Sequence, residues 1–522
     1  MRLSPTDVRT PSRAVLPVVL LAVLAITVET TVVNVALPTL NTALDATTTH
    51  LQWIVDAYNL AFAALVLAGG GIGDRYGRRP VLVVGLALFA ATNVAAALSA
   101  GAGALIAWRV LMGAASALVY PTTLAILTDT YRDRRARAAV IGAWGAVGGL
   151  GVAVGPVLGG YLLEHYSWSS VFVALVPAAV ASAVLAWYLV PDSRAEHRPR
   201  LDIAGLVLSI LFLGTLVYTI IEAPTRGWTA PVTLGGFAAS AVLGTLFVSA
   251  ELRHPEPLID VSLFMNPRFS AASGAVTVAF FGLFGFIFLI TLFFQLVQGQ
   301  TPLTTGVRVL PVAVSIALGS IVGTRLVVAA LGTKAVVTLG LVMLSGAFAW
   351  AATIGADIHY GEVAAQMVLL GTGLGLTTAP ATESIMGAVR PQQAGAGSAL
   401  NDATRQVGGT LGVAVLGSIY TTLYLRAMDG SPIAAQLSPD TRAITREGVA
   451  QGLAVAHAAP GPASAAIRDA AISGFLDGLH VGCLTAASVC LLGAVAVALL
   501  LPARPTASPA AENISRPLLV GD

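Results

Sequence analysis

The chain has 522 residues, of which 56% are hydrophobic and 10% charged, and its formal net charge is +2. Soluble domains of average composition carry about a quarter charged residues, so a water-soluble globular fold is excluded and lipid is the expected solvent. The small net charge also argues against a nucleic-acid partner.

A helix needs about 20 apolar residues to cross some 30 Å of hydrocarbon. The first such run, 14–38, follows a basic segment with Arg2, Arg9 and Arg13. It is longer than a signal-peptide core and lacks a convincing cleavage site, so an uncleaved first span is expected. Runs at 51–73, 81–100, 104–127, 138–162 and 169–191 complete a first set of six. Two more follow at 203–222 and 230–250, then a second six at 269–297, 304–325, 334–355, 361–385, 399–425 and 478–501. The segment 426–477 contains an alanine-rich stretch, 448–467, but His457, Pro460 and Pro462 interrupt it and Arg446, Glu447, Arg468 and Asp469 flank it. An external, partly helical loop is expected there. The tail 502–522 is rich in Pro, Ala and Ser and is expected to be disordered. Cys483 and Cys490 sit seven residues apart in one apolar run, about 10 Å along a helix, beyond disulfide reach. The seven histidines show no metal-ligand spacing, so no metal site is expected.

The basic residues test the count. With the N-terminus in the cytoplasm, cytoplasmic segments collect 21 Lys and Arg and the external side five, while Arg109 and Arg308 fall within spans. That asymmetry obeys the positive-inside rule for an even number of spans with both termini cytoplasmic.

Between the second and third spans stands Gly70-Gly-Gly-Ile-Gly-Asp74-Arg75-Tyr-Gly77-Arg78-Arg79. Its glycines permit a tight turn, and its Asp and Arg side chains can form charge-assisted bonds to neighbouring helix ends. The order resembles the cytoplasmic loop signature of the major facilitator superfamily, where the loop locks the two halves together in the outward-open state. The first span carries Glu29-Thr-Thr31-Val-Val-Asn34-Val-Ala-Leu-Pro38, similar to a motif of the fourteen-span drug:proton antiporter branch, which usually has Asp where Glu29 stands. Trp53-Ile-Val-Asp56-Ala-Tyr58 is similar to exporters of quaternary ammonium compounds, and Arg109-Val-Leu-Met-Gly113 resembles the family's Arg-x-x-x-Gly element. Gly151 precedes Gly155-Pro156-Val-Leu-Gly159-Gly160, which matches the antiporter motif. Gly395-Ala-Gly-Ser-Ala-Leu-Asn401-Asp402-Ala-Thr-Arg405-Gln406 also fits this branch. The second half has only a faint echo of the cytoplasmic loop, Gly323-Thr-Arg325 with Gly332-Thr-Lys334, and lacks the Asp.

The resemblance implies an all-α polytopic membrane protein with the major facilitator fold: two six-helix bundles plus two linking helices, fourteen transmembrane helices in all. The implied organisation is a cytoplasmic tail 1–13, an N-terminal bundle 14–191, a linker 192–250, a C-terminal bundle 251–501 with external loop 426–477, and the tail 502–522. It implies a monomeric transporter in the bacterial plasma membrane, not an enzyme. Its partners would be a small-molecule drug or antibiotic, protons and the lipid bilayer, with a proton gradient in place of any cofactor. A dedicated exporter of one endogenous metabolite or self-made antibiotic is the same-fold alternative, and a passive channel or receptor the alternative of another class.

Ionisable groups inside spans cost about 2.5–3.5 kcal/mol each on insertion scales and are functional candidates by default. Glu29 and Arg109 lie at depths that differ by a few ångströms, so they are expected to pair or to share a water-filled cavity, with Glu29 as proton carrier; a static ion pair is the alternative. Asp56 reads equally as a cation-binding group and as a solvated acid near a helix start. Asp402 reads as a substrate or proton site, or as an N-terminal helix cap. The stripe Gly151, Gly155 and Gly159 predicts close helix contact, with Pro156 favouring a bend.

Overall fold

The computed structural model describes residues 14–131, 133–194, 202–389 and 394–502, so the two tails beyond Ala14 and Pro502, with their arginines, lie outside the described residues. Among the described residues there is no strand, and fourteen helices are long and apolar enough to cross a membrane. The first six are α1 (Val15–Ala43), α2 (Thr48–Tyr76), α3 (Arg78–Ala97), α4 (Ala102–Thr130), α5 (Arg134–His165) and α6 (Ser170–Leu189). Then come α7 (Ile203–Arg226) and α8 (Pro231–Glu251). The last six are α9 (Pro267–Val297), α10 (Pro302–Val322), α11 (Ala330–Ala351), α12 (Tyr360–Ala388), α13 (Ala394–Gly430) and α14 (Pro462–Leu500).

Local chemistry places several of these starts. Thr47 and His50 form a capping box at α2, Asp133 accepts from the Arg135 and Ala136 amides, and Asn266 accepts from Arg268 N at 3.0 Å. Proline occupies the first turn of α8, α9, α10 and α14, where its missing N–H costs nothing. The last case corrects the expected loop 426–477. Pro462 opens a helix instead of ending one, and the alanine-rich stretch after it extends α14 sixteen residues ahead of the apolar run. The connecting segment shrinks to 431–461, which holds helices Pro439–Arg446 and Val449–Ala458. Cys483 and Cys490 are buried and unpaired.

The packing is a repeat. In the first half α1 packs on α5, α2 on α4, and α3 on α4 and α6; eight helices on, α9 packs on α13, α10 on α12, and α11 on α12 and α14. These are two six-helix bundles, and α7 and α8 pair with each other while α7 also leans on α2 and α13. The repeat reaches into the turns. Gly77 before α3 and Gly332 near the start of α11 both have positive φ, 112° and 80°, a conformation that favours glycine. The faint second-half echo in the sequence therefore marks the same turn.

Two seams join the bundles, α2 against α13 and α5 against α10. The second is tight at the end that carries residues 431–461. There Gly306 packs against the Pro156 carbonyl, Gly160 lies on the backbone of Pro302 and Leu303, and Leu303 N donates to Glu164 Oε1 at 3.3 Å. Gln295 Nε2 donates to Val35 O at 2.9 Å. The 431–461 segment then reaches across to the α1–α2 turn. Thr48 N donates to Glu447 O at 3.0 Å, Gln451 Nε2 to Ala46 O at 3.2 Å, and Asn41 Nδ2 to Gln451 Oε1 at 3.4 Å. Buried Tyr424 holds the segment to α13, its hydroxyl 2.8 Å from Thr445 O and 2.9 Å from Gly448 O. Toward the other end no residue of α5 between 141 and 150 is buried. The bundles are thus clasped to each other at the end that carries residues 431–461.

Candidate functional site

Glu29 is the middle residue of the 29-residue α1 and is fully buried. Arg109 of α4, 1% exposed, donates from Nη1 to Glu29 Oε1 and from Nε to Ile54 O at 2.8 Å. Its guanidinium lies 4.5 Å from the Tyr58 ring centroid, and Tyr58 in turn donates to Ser116 Oγ at 2.9 Å. The expected depth match thus becomes a direct ion pair, with the Tyr58 ring as a supporting face that no signal in the sequence singled out. Glu29 Oε2 has no hydrogen-bond partner. A buried carboxylate held on one side only retains one oxygen free to take up a proton.

Beside the pair is a cavity of about 60 Å³, lined from both bundles by Thr30, Thr31, Asn34 and Asn59 with Pro156 of α5 and Phe284 of α9, among others. Thr30 follows Glu29 directly, and Ile54, the acceptor of Arg109 Nε, precedes cavity-lining Val55. Of the first-span motif, Thr31 and Asn34 line this cavity, while Pro38 lies within α1 toward the clasped end. Thr30 and Asn59 carry no separate signal in the sequence.

Asp56 is fully buried and neither carboxylate oxygen has a hydrogen-bond partner. That overturns the solvated helix-start alternative: α2 begins at Thr48, so Asp56 lies more than two turns inside the helix. Gln52 Oε1 and Asn59 Oδ1 are also unpartnered, which leaves three residues spaced four and three apart with idle acceptors. Asp402 is likewise not a cap. Helix α13 begins at Ala394, eight residues earlier, and Asp402 is 7% exposed with Arg405 Nη1 at 3.9 Å. Arg405 bonds Thr382 Oγ1 at 3.2 Å and lies over the Phe280 ring at 5.5 Å, and Asn401 Oδ1 accepts from Thr382 at 3.2 Å. Gln406 Oε1 is buried without a partner. The structure therefore brings Glu29 and Arg109 together and leaves Asp56 and Asp402 as separate sites. Glu383, within α12, is exposed.

The antiporter-motif glycines pack α5 on α1. A Cβ at Gly151 would lie 3.2 Å from Val28 N, one at Gly155 3.0 Å from Val28 O, and one at Gly159 3.0 Å from Val32 O. The contacts of the 70–79 turn among the described residues include α4, α6 and the chain just after α6. Arg78 bonds Asp74 through Nε at 3.0 Å and Nη2 at 2.9 Å, and its Nη1 lies 3.7 Å from Asp129 of α4. Arg78 N donates to Ser193 O, Arg79 covers Trp187 at 5.4 Å, and Arg75 covers Tyr76 at 5.7 Å. Gly70 faces Pro121 of α4, with 3.7 Å to an added Cβ.

Residues 19–413 match the Major Facilitator Superfamily model. The chain belongs to the major facilitator superfamily. It is a multi-pass membrane transporter, not an enzyme. It is 33% identical over 498 residues to the multidrug efflux pump LfrA of Mycolicibacterium smegmatis, covering 95% of this chain and 97% of that pump. It is 32% identical to the tetracenomycin C resistance and export protein of Streptomyces glaucescens, covering 92% and 90%. The methyl viologen resistance protein SmvA of Salmonella typhimurium is also 32% identical, with 92% and 96% covered. Among solved structures, a bacterial homologue of the human lysosomal transporter Spinster, in an inward-facing and occupied conformation, superposes with a TM-score of 0.64 at 17% identity over 95% of this chain and 98% of that one. That likeness is one of fold.

Proposed function

We propose that this transporter exports amphipathic, cationic drugs or antibiotics across a bacterial plasma membrane in exchange for protons, by alternating access. The observation that carries the proposal is the buried Glu29–Arg109 pair beside a cavity lined by both bundles, with one Glu29 oxygen unpartnered. Opening the cavity to either side changes the solvation of Glu29 and so its hold on a proton. Asp56 and Asp402 are the further acids proposed to bind protons or the cation, with Asn401, Arg405 and Gln406 placing Asp402. Thr31 and Asn34 shape the cavity wall, and Pro38 shapes α1 toward the clasped end. Gly151, Gly155, Pro156, Gly159 and Gly160 form a hinge and seal against leak. Gly70, Asp74, Arg75, Gly77, Arg78 and Arg79 form the cytoplasmic gate loop.

The positive-inside asymmetry supports a cytoplasmic gate loop, cytoplasmic termini and an external 431–461 clasp. The proposed division is 14–191, 192–250 and 251–501, working as a monomer. The names of the curated relatives, a multidrug efflux pump and two resistance proteins among them, support drug export. A dedicated exporter of one antibiotic is supported by the likeness to the tetracenomycin C export protein.

Everted membrane vesicles incubated with a panel of cationic, neutral and anionic fluorescent amphipaths test the proposal. Energised vesicles are expected to accumulate several unrelated cations and to lose them when a protonophore collapses the gradient. Uptake that survives the protonophore refutes proton coupling, and uptake of a single compound favours the dedicated exporter.

A further inference from the structure

Far from the Glu29 pair and its cavity, two more buried acids meet at the joint between α7, α8 and the chain that leads into α9. Asp202 caps α7 and is 5% exposed; Glu251 closes α8 and is 2% exposed. Each commits one oxygen to the backbone. Asp202 Oδ1 accepts from Gly205 N at 2.8 Å, while Glu251 Oε2 accepts from Ile259 N at 2.8 Å and so holds the segment before α9 against the end of α8. The other two oxygens, Asp202 Oδ2 and Glu251 Oε1, have no hydrogen-bond partner. A Cβ on Gly205 would touch Glu251 Oε1 and lie 2.7 Å from Asp202 Oδ2, so both idle oxygens converge on the space a side chain there would fill. No more than about 5 Å separates them.

Little charge stands near to balance the two acids. His254 Nδ1 is 3.8 Å from Asp202 Oδ2, but its hydrogen bonding is with the Glu256 backbone, 2.8 Å from O and 3.2 Å from N. Asp202 and His254 are the charged groups that face Glu251, and among the described residues no Arg or Lys pairs with either acid. Two carboxylates this close and this buried cannot both stay ionised without a compensating cation. Among the described residues no group of three His, Cys, Asp or Glu could hold a metal ion, so a proton is the ligand that fits two facing carboxyl oxygens.

We propose that Asp202 and Glu251 share one proton between their facing oxygens, and that this proton fastens the end of α8 to the start of α7. The protonated carboxyl donates to its neighbour, which turns a like-charge contact into a charge-assisted hydrogen bond. Loss of the proton leaves two negative charges where α7, α8 and the entry to the second bundle meet. The 70–79 turn lies on the same side of the molecule, and its Arg78 N bonds Ser193 O a short way before Asp202. The joint therefore responds to the pH of the compartment opposite the clasp. It depends neither on the cargo nor on the acid that couples to it, and so goes beyond the exporter reading.

The unfolded chain has no such pair to hold the proton, so the stability it adds is present at acid pH and lost as the pH rises. The test is a thermal melt of the purified full-length protein in detergent across about pH 5 to 9 for the parent, Asp202→Asn and Glu251→Gln. Asn at 202 still caps α7, Gln at 251 still accepts from Ile259 N, and either amide supplies the bridging hydrogen at every pH. Both variants are expected to melt within about 1 °C of the parent at the acid end and to exceed it by about 2 °C at the alkaline end. Infrared spectra at neutral pH are expected to lose one protonated-carboxyl band in each variant. Where Glu251→Gln fails to accumulate in the membrane, Asp202→Asn carries the test. A melting difference that stays constant with pH, or a carboxyl band that survives in the variants, overturns the shared proton and leaves a capping cluster. Imidazole is the competing holder of a proton, so the series is repeated with His254→Gln; a pH dependence that vanishes there overturns the sharing. Stabilisation of the parent by NaCl or MgCl2 at alkaline pH, absent from both amide variants, puts a metal cation in the proton's place and overturns it as well.

Discussion

Neutralising both members of the central ion pair separates a proton carrier from a strut. Glu29→Gln alone leaves the Arg109 guanidinium buried, with Ile54 O and the Tyr58 ring as its main remaining partners. Breaking a buried pair from one side typically costs about 3–5 kcal/mol, because the remaining charge is uncompensated. Each single variant, Glu29→Gln and Arg109→Gln, is therefore expected to lower thermal stability in detergent and to abolish coupled transport. The double variant buries two neutral amides at 0% and 1% exposure, where no charge is left over, so most of the loss returns. A double-mutant cycle should show a coupling of about 3 kcal/mol. The assay is a thermal melt of each purified variant together with drug-driven proton release from proteoliposomes. A strut predicts that the double variant regains both stability and coupling; a carrier predicts that it regains stability alone. Restored proton release in the double variant would falsify the role given to Glu29.

Gly155→Leu must push α5 off α1, since even a Cβ there crowds Val28 O; overpacking costs about 1–3 kcal/mol, and transport should vanish while membrane insertion, read by fractionation, persists. Gly77→Ala is expected to destabilise the 70–79 turn by about 1–3 kcal/mol because of its φ of 112°, whereas helical Gly142→Ala, with open space around it, should be neutral or gain about 0.5–1 kcal/mol. Equal melting temperatures for these two variants count against the backbone argument. Gln451→Ala removes two of the bonds between the 431–461 segment and the α1–α2 turn, so cysteine-accessibility labelling of the cavity from that side should rise several-fold; unchanged labelling means the clasp does not gate.

Run length alone revealed the number of spans, because lipid enforces one apolar length and leaves little room for alternatives. It failed where the helix leaves the apolar run. The start of α14 at Pro462 carries Arg468 and Asp469, which a hydropathy criterion rejects but helix propensity accepts. The same error, setting α2 and α13 to begin at the edge of the apolar run, made Asp56 and Asp402 look terminal when both lie well inside. The pairing of Glu29 with Arg109 was legible because only a few charges fall within spans and their depths match. The cavity wall was not. Thr30, Asn59 and Phe284 meet through packing of different helices, Phe284 more than two hundred positions from the other two, and nothing local distinguishes them from lipid-facing neighbours. Gly332 shows the opposite case, in which a weak sequence echo proved to be a strong structural repeat, since a turn of positive φ constrains one glycine and little else.

The distribution of bonds between the bundles bears on the proposed coupling to protons. Five polar bonds at the clasped end cross from one bundle to the other: Thr48 to Glu447, Gln451 to Ala46, Asn41 to Gln451, Gln295 to Val35, and Leu303 to Glu164. At a net 0.5–1.5 kcal/mol each, releasing them costs about 2.5–7.5 kcal/mol before water compensates the freed groups. A proton crossing the membrane gains about 2.3 kcal/mol per 100 mV and about 1.4 kcal/mol per pH unit. One or two protons thus match the clasp in size. A clasp built from side chains deep in the apolar core would cost far more to open, because its polar groups would find no water. Main-chain and amide groups at the rim, exposed to solvent as soon as they part, keep the two states within reach of the gradient. On the proposed proton-coupled reading, the rim sets the energy gap between the states and the buried acid decides when it is crossed.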